Sequence, residues 1–376
     1  MGTVKILHCA DIHIGAAESF LKAGADARRF ETLITFERII DLAVERDVKI
    51  IAIAGDLFDS NRIEDRFLEA VFSKIGAAAP IKVVFAAGNH DPLNADSPFL
   101  TRTLPDNLYV LGTEDECITF NDLGVKVYGR SFESAFLKGE EKLTLLPDVN
   151  YINILVQHGE LKSDLNSDYN AITPRFVKSS GMDYIALGHV HKKTDIGRID
   201  NTFFAYSGCP EGQGFDELDE KGVYIGNVGK GLCELEFIAV SKRQHIHSKI
   251  DISNCTDSSD ISRLVTDTLR EKYGNGFEEH LYKIELVGTV SPETDILTAE
   301  IESRLKSSLY FVKLKDSTDI SLDLEELSNE ASLKGIFVKK ILEKMSTAAE
   351  SEQEILKQAL KLGLKAFKGE VKYNED

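Results

Sequence analysis

Five short stretches of this chain combine side chains that bind cations or move protons. They are Asp11-Ile12-His13, Gly55-Asp56-Leu57-Phe58-Asp59, Gly88-Asn89-His90-Asp91, Gln157-His158-Gly159 and Gly188-His189-Val190-His191. Singly, each is ordinary turn chemistry, because Gly, Asn and Asp are common turn residues. Their shared position sets them apart. Each follows a short apolar run that reads as a strand: Val4 to Cys9, Lys49 to Ala54, Lys82 to Ala86, Tyr151 to Val156 and Asp183 to Leu187. In an α/β sheet, ligands bind beyond the carboxyl ends of the strands, so side chains there can share one cleft.

Asp11, His13, Asp56, Asn89, His158, His189 and His191 make a mixed nitrogen and oxygen donor set without thiolate. Such a set suits Mn, Fe, Zn or Co better than calcium or a structural zinc. Seven donors are too many for one ion with an open position. They fit two ions sharing a bridging carboxylate. Two ions about 3.5–4 Å apart serve in-line displacement at phosphorus: they generate hydroxide, hold phosphate oxygens and neutralise developing charge. His90 is placed to assist the leaving group, with Asp91 expected to orient its ring.

The elements that must position these residues follow from periodicity. A helix is expected from about Phe30 to Arg46, with Leu33, Phe36, Ile40 and Val44 on one face, and a second from about Arg62 to Gly76. Strand, helix, strand, helix, strand is the rhythm of a layered α/β fold with a mainly parallel sheet. A polar loop is expected from about Ser131 to Asp148. Thr173-Pro174 reads as a helix cap followed by the first helical residue. Thr202 to Tyr206, Gly222 to Ile225 and Leu235 to Val240 read as antiparallel strands, joined by the Gly-rich loop Ser207 to Gly214. Near Ser241 a smaller β-α-β-α-β pattern begins, with Ser291-Pro292 as another helix start. The last sixty or so residues read as helices: Leu333, Ile336, Phe337, Ile341 and Met345 mark one face, and Leu356, Leu360, Leu364 and Phe367 another.

In chain order these motifs are D-x-H, G-D-x-x-D, G-N-H-D, H-G and G-H-x-H. The chain thereby resembles the calcineurin-like metallophosphoesterases. The resemblance implies an α/β fold: a β-sandwich flanked by helices in residues 1–240, a small α/β capping domain in 241–318, and a helical C-terminal segment in 319–376. It also implies a ligand assignment. Asp11, His13, Asp56 and His191 would hold one ion; Asp56, Asn89, His158 and His189 would hold the other; His90 would act on the leaving group. Asp59 would support the site without being a ligand. Ala10 to Gly15 and Ala54 to Asp59 look most like the SbcD and YhaO branch of DNA double-strand-break repair exonuclease subunits.

That branch implies a Mn-dependent exonuclease acting on DNA ends, with Mn as the working metal. It also implies an SMC-like ATPase partner docking on the C-terminal helices, and a homodimer. Arg28, Arg29, Arg62, Lys192 and Lys193 are candidate phosphate contacts, because they lie near the motif loops in sequence. Two other functions compete: a phosphoesterase for nucleotides or small phosphodiesters, and a non-catalytic scaffold of the same fold. The scaffold is disfavoured because His90 and all seven donors are present.

Composition sets bounds. The formal net charge of −18 argues against a broad basic surface for nucleic acid, though not against a local groove. The five cysteines, Cys9, Cys117, Cys209, Cys233 and Cys255, are widely spaced and form no C-x-x-C, which fits a reducing cytoplasm. No apolar run approaches the length of a membrane span. The opening strand carries Lys5 and leads straight to Asp11, so no signal peptide is expected.

Overall fold

The computed structural model describes residues 2–17, 21, 25–140, 144–163, 166–218, 220–291, 294, 296–320 and 324–367. It divides into two compact units, Met1–Gln244 and His245–Asp376.

The first unit holds two six-stranded sheets. One has the order β15-β14-β1-β2-β3-β4, built from β1 (Val4–Cys9), β2 (Ile50–Ile53), β3 (Lys82–Phe85), β4 (Leu108–Val110), β14 (Gly222–Gly229) and β15 (Leu232–Ala239). The other has the order β12-β13-β11-β8-β6-β5, built from β5 (Glu116–Phe120), β6 (Val125–Gly129), β8 (Ile152–His158), β11 (Tyr184–Gly188), β12 (Gly197–Ile199) and β13 (Thr202–Tyr206). A small sheet joins β7 (Leu137–Glu140), β10 (Tyr169–Ile172) and β9 (Glu160–Leu161). Among the described residues, α1 (Ala25–Glu45), α2 (Asp65–Ala77), α3 (Pro98–Thr101) and α4 (Pro174–Ser179) accompany them.

Strand alternation builds the layers. Successive side chains of a strand point to opposite faces. In β1, Val4 and Ile6 join Ile50, Val84, Val127 and Ile154 in a core between the two sheets. Leu7 and Cys9 join Phe36, Ile40 and Val71 in a core beneath α1 and α2. Leu155, Ile185 and Leu187 pack on the far side of the second sheet with Phe176 and Val177 of α4. The central strands β2, β8 and β11 are thus buried on both faces, which explains their near-continuous apolar runs. The result is the expected β-sandwich flanked by helices.

Register brings the strand ends level. Cys9 pairs with Ile53, and Ile53 with Phe85, in parallel ladders. In the second sheet Gly188 pairs with His158. The segments that leave these ends are therefore neighbours.

Some elements differ from expectation. Helix α1 starts at Ala25, five residues before the apolar pattern begins, because its first turn is held by ion pairs of Arg28. Its buried face runs through Phe36, Ile39, Ile40 and Ala43, and Val44 is exposed. Helix α2 starts at Asp65. Strand β7 lies inside the expected polar loop. Strand β13 runs parallel to β11 and antiparallel to β12. Thr173 caps α4 as expected, its side chain accepting from Phe176 N.

The second unit contains a parallel sheet in the order β16-β17-β19, from β16 (His245–Asp251), β17 (Leu281–Val287) and β19 (Phe311–Asp316). Helices α5 (Ser258–Tyr273) and α6 (Thr298–Leu305) bury Ile261, Val265 and Ile301 in its core. Pro292 of the expected helix start lies outside the described residues. β18 (Thr289–Val290) pairs with β20 (Asp319–Ile320). Then follow α7 (Leu324–Ser328), α8 (Leu333–Met345) and α9 (Glu350–Phe367), joined around Val338, Leu360 and Leu364. Leu333 and Ile336, expected on the packed face, are exposed; Val338 takes that place, with Phe337 and Ile341 packed beside it. Among the described residues no helix is long and apolar enough to cross a membrane.

Candidate metal centre

The loops after β1, β2 and β11 enter the left-handed backbone region at Asp11 (φ 53°), His13 (φ 48°), Asp56 (φ 51°) and His189 (φ 95°). Each such non-glycine residue costs on the order of 1–3 kcal/mol, and such residues cluster at functional sites. Pairing between the loops sustains the first three. Asp11 N donates to Gly55 O at 3.0 Å, His13 N to Asp56 O at 3.0 Å, and Ile14 N to Leu57 O at 2.9 Å. At Gly88 the approach is so close that a Cβ would lie 2.2 Å from Asp56 Oδ1.

All seven expected donors meet at this point. Asp11, His13 and His191 bring ligand atoms within 4.8 Å of one another, as do Asp11, Asp56 and His158. His13 Nε2 lies 3.2 Å from His191 Nε2 and 3.8 Å from Asp56 Oδ2. Asp56 Oδ2 lies 3.4 Å from His158 Nε2. Asn89 Oδ1 lies 2.9 Å from His158 Nε2 and 3.1 Å from His189 Nδ1. Asp56 therefore stands between one group, Asp11, His13 and His191, and another, Asn89, His158 and His189.

The arrangement fits divalent metal. His158 Nδ1 lies 2.9 Å from Ala54 O, and as the donor there in the neutral ring it leaves the Nε2 lone pair to a metal. That lone pair then faces the oxygens of Asn89 and Asp56. His191 Nδ1 lies 2.6 Å from Glu217 Oε1, which turns its Nε2 toward His13. The Nδ1 of His13, in a buried side chain, lies 3.4 Å from Asp59 Oδ1 and makes no hydrogen bond. Lone pairs converge from several sides on the same space, and a bound cation would satisfy them.

Electrostatics agree. Burial pushes the Asp11 carboxyl above its usual range. Burial also opposes ionisation of Asp56, but the neighbouring His158 holds it well below the usual carboxylate range. Burial alone would lower His158; the Asp56 carboxylate outweighs it and lifts the ring to about 9. Burial, then the nearby His158, lowers His189 to about 4. The Asp56–His158 pair is thus held together by a proton that a metal ion would replace.

Asp91 corrects an expectation. It does not orient His90. Its Oδ2 accepts from Phe58 N at 3.0 Å and its Oδ1 from Gly88 N at 2.9 Å, so it ties two motif loops together. The His90 ring instead places Nδ1 3.1 Å from Asp59 O and 3.8 Å from Asp59 Oδ1. The two neighbours diverge: Asp91 is buried, while the His90 side chain is 45% exposed.

Arg28 is a second correction. It is only 2% exposed, with Nη1 2.7 Å from Glu31 Oε2 and 3.3 Å from Glu211 Oε2. Its sequence neighbourhood to the motif loops did not reveal that its charge is used inside the fold. Arg29 Nη1 lies 3.8 Å from Glu64 Oε1 and 3.9 Å from Asp26 Oδ1. Lys193 Nζ lies 3.3 Å from Glu220 Oε2 and 3.8 Å from the centre of the Phe237 ring. Arg62 and Lys192 are exposed.

Two contacts were missed from sequence. Glu217 backs His191, and the Tyr169 ring lies 4.5 Å from the His189 ring at a 32° tilt. Neither residue stands in a motif, and nothing in a single sequence marks it.

A helix-flanked β-sandwich whose strand ends gather nitrogen and oxygen donors around a central aspartate defines a metal-dependent phosphoesterase, a hydrolase of ester bonds. Residues 4–193 match the family model described as calcineurin-like phosphoesterase, and the chain belongs to that family. It is 28% identical over 282 residues to the metallophosphoesterase YhaO of Bacillus subtilis, covering 71% of this chain and 68% of that one. It is 26% identical over 364 residues to the DNA double-strand break repair protein Mre11 of Methanopyrus kandleri, covering 87% and 76%. The Mre11 of Saccharolobus solfataricus is 23% identical over 369 residues, covering 95% and 94%. The resemblance to this branch, drawn above from the motifs, is matched by these relatives.

Proposed function

We propose that this chain is a dinuclear phosphodiesterase that degrades DNA from its ends, with Mn as its working metal. The observation that carries the reading is the place of Asp56, with Oδ2 3.8 Å from His13 Nε2 on one side and 3.4 Å from His158 Nε2 on the other. A carboxylate so placed suits a bridge between two ions. On this reading Asp11, His13, Asp56 and His191 hold one ion, and Asp56, Asn89, His158 and His189 hold the other. Two such ions would supply a water of lowered pKa and neutralise charge at phosphorus.

The remaining work falls to His90, the most exposed of the five site histidines. In the protonated ring, Nδ1–H donates to Asp59 O and Nε2–H is left for the leaving oxygen. The relatives named as DNA double-strand break repair proteins support DNA as substrate. Under the same reading residues 1–240 form the nuclease domain, residues 241–318 serve as the capping domain, and residues 319–376 dock on an SMC-like ATPase. Leu333 and Ile336 on α8, with Ile355 and Leu362 on α9, are exposed apolar residues that support docking. Homodimerisation and a cytoplasmic location complete the proposal; five free cysteines fit the latter.

A second reading, a phosphoesterase for nucleotides or small diesters, gains from the burial of Arg28 and the carboxylate partners of Arg29 and Lys193. Substrates separate the two. Linear duplex DNA, single strands and bis-p-nitrophenyl phosphate should all be cut with Mn²⁺. Cleavage of the small diester alone, even with an ATPase partner present, would end the nuclease reading.

A further inference from the structure

Glu217 lies outside every motif, yet its carboxylate is committed to the back of the metal centre. Oε1 is 2.6 Å from His191 Nδ1. Oε2 accepts from Gln213 N at 3.0 Å and from Cys209 Sγ at 3.2 Å, and Lys221 Nζ is 3.7 Å away. The backbone of His191 is held by the same group of residues: His191 O accepts from Lys221 Nζ at 3.0 Å and from Cys209 N at 3.2 Å. One loop and one lysine thus clamp both the ring and the main chain of His191.

The consequence follows from imidazole chemistry. A neutral ring offers one lone pair to a metal, and the partner of the other nitrogen decides which. A carboxylate on Nδ1 keeps the hydrogen there, sets the ring plane and makes Nε2 a better donor. His191 Nε2 faces the group formed with Asp11 and His13. His158 in the other group is fixed differently, by the neutral carbonyl of Ala54 at 2.9 Å. For His189, the Glu160 carboxylate stands off, with Oε1 3.9 Å from Nε2. The strong carboxylate support is therefore on one side of the centre.

We propose that Glu217 is the positioning residue of His191: it determines which ring nitrogen meets the ion held by Asp11, His13, Asp56 and His191, and thereby sets the affinity of that ion alone. This rests on the two-ion reading above. Glu217 touches neither substrate nor ion and acts through His191.

The test is titration of Mn²⁺ into the metal-free full chain, followed by calorimetry and by electron paramagnetic resonance. The parent should bind two ions. Glu217→Ala should weaken one of them about 10–100-fold and leave the other unchanged. Glu217→Gln, which keeps an acceptor oxygen without the charge, should fall between the two. In a His191→Ala background, Glu217→Ala should add no further loss. If Glu217→Ala does not fold, Glu217→Gln carries the same test. Parental affinity for both ions, equal weakening of both, or further weakening without His191 would each overturn the positioning role. A parent that binds only one ion would overturn the two-ion reading and this inference with it.

Discussion

His90 Nδ1 lies 3.1 Å from the carbonyl oxygen of Asp59, while Asp91, its neighbour in sequence, is buried against the amides of Phe58 and Gly88. The neighbours His90 and Asp91 therefore have different duties. His90→Ala should slow hydrolysis of bis-p-nitrophenyl phosphate by about 10²–10⁴-fold, with Mn²⁺ stoichiometry retained. Asp91→Ala should instead lower stability, by about 1–3 kcal/mol for each buried amide left unpaired. Urea unfolding of the metal-free proteins measures the second effect. A His90 variant as active as the parent sinks the leaving-group role, and parental stability in the Asp91 variant sinks the structural one.

Gly88 has no room for a side chain. An added Cβ would sit 2.2 Å from Asp56 Oδ1 and 2.8 Å from Asp56 N, and the backbone nitrogen cannot move aside cheaply. Gly88→Ala should displace the carboxylate placed between the two donor groups. We expect Mn²⁺ binding to weaken by at least about tenfold, the scale seen when support of a ligand is lost. Calorimetric titration checks this, and unchanged affinity would show that the loop yields without moving Asp56.

Arg28 and Arg62 should separate cleanly. Arg28 is buried between Glu31 and Glu211. Removing one partner of a buried pair costs about 3–5 kcal/mol, so Arg28→Ala should lower the unfolding midpoint without changing the salt dependence of DNA binding. Arg62 is exposed and follows Asp59 by three positions in the chain. Arg62→Ala should weaken DNA binding and reduce the slope of log affinity against log salt by about one. Fluorescence anisotropy across a salt series distinguishes the two. An unchanged slope in the Arg62 variant removes that residue as a phosphate contact.

Glu31 predicts a pH dependence away from the metal centre. Burial pushes its carboxyl up, but Arg243, with Nη2 2.7 Å away, and Arg28 outweigh burial and hold it at about 2, against 4.5 ordinarily. A lowered folded value means the stabilisation is present above pH 4.5 and disappears as pH falls toward 2. Glu211, on the other side of Arg28, is pushed up by burial and opposes part of this. The parent should exceed Glu31→Gln in stability by at most ~3 kcal/mol near neutrality, and the gap should close in acid. Urea unfolding of metal-free protein across that range measures the gap; a gap that stays constant with pH would exclude Glu31 as the titrating group.

The motif residues were legible because strand ends are a local property. Apolar runs reveal β1, β2, β3, β8 and β11, and the residues following each run are then bound to lie at one edge of the layers. Parallel register does the rest, with Cys9, Ile53 and Phe85 side by side. Helix phase was less legible. Val44 and Leu333 fit an apolar stripe yet are exposed, because the partner surface decides how far a stripe extends.

By itself, then, the sequence determined the donor types, their order at five strand ends and the layered fold that gathers them. Tertiary structure alone decided which acidic residue stands behind which histidine. It set Asp59 behind His90 and Glu217 behind His191, and it turned Arg28 and Arg243 inward onto Glu31. The physical reason is range. Alternation and strand termination act over a few neighbouring residues, whereas Glu31 and Arg243 meet across 212 positions of chain, through packing that no local pattern encodes.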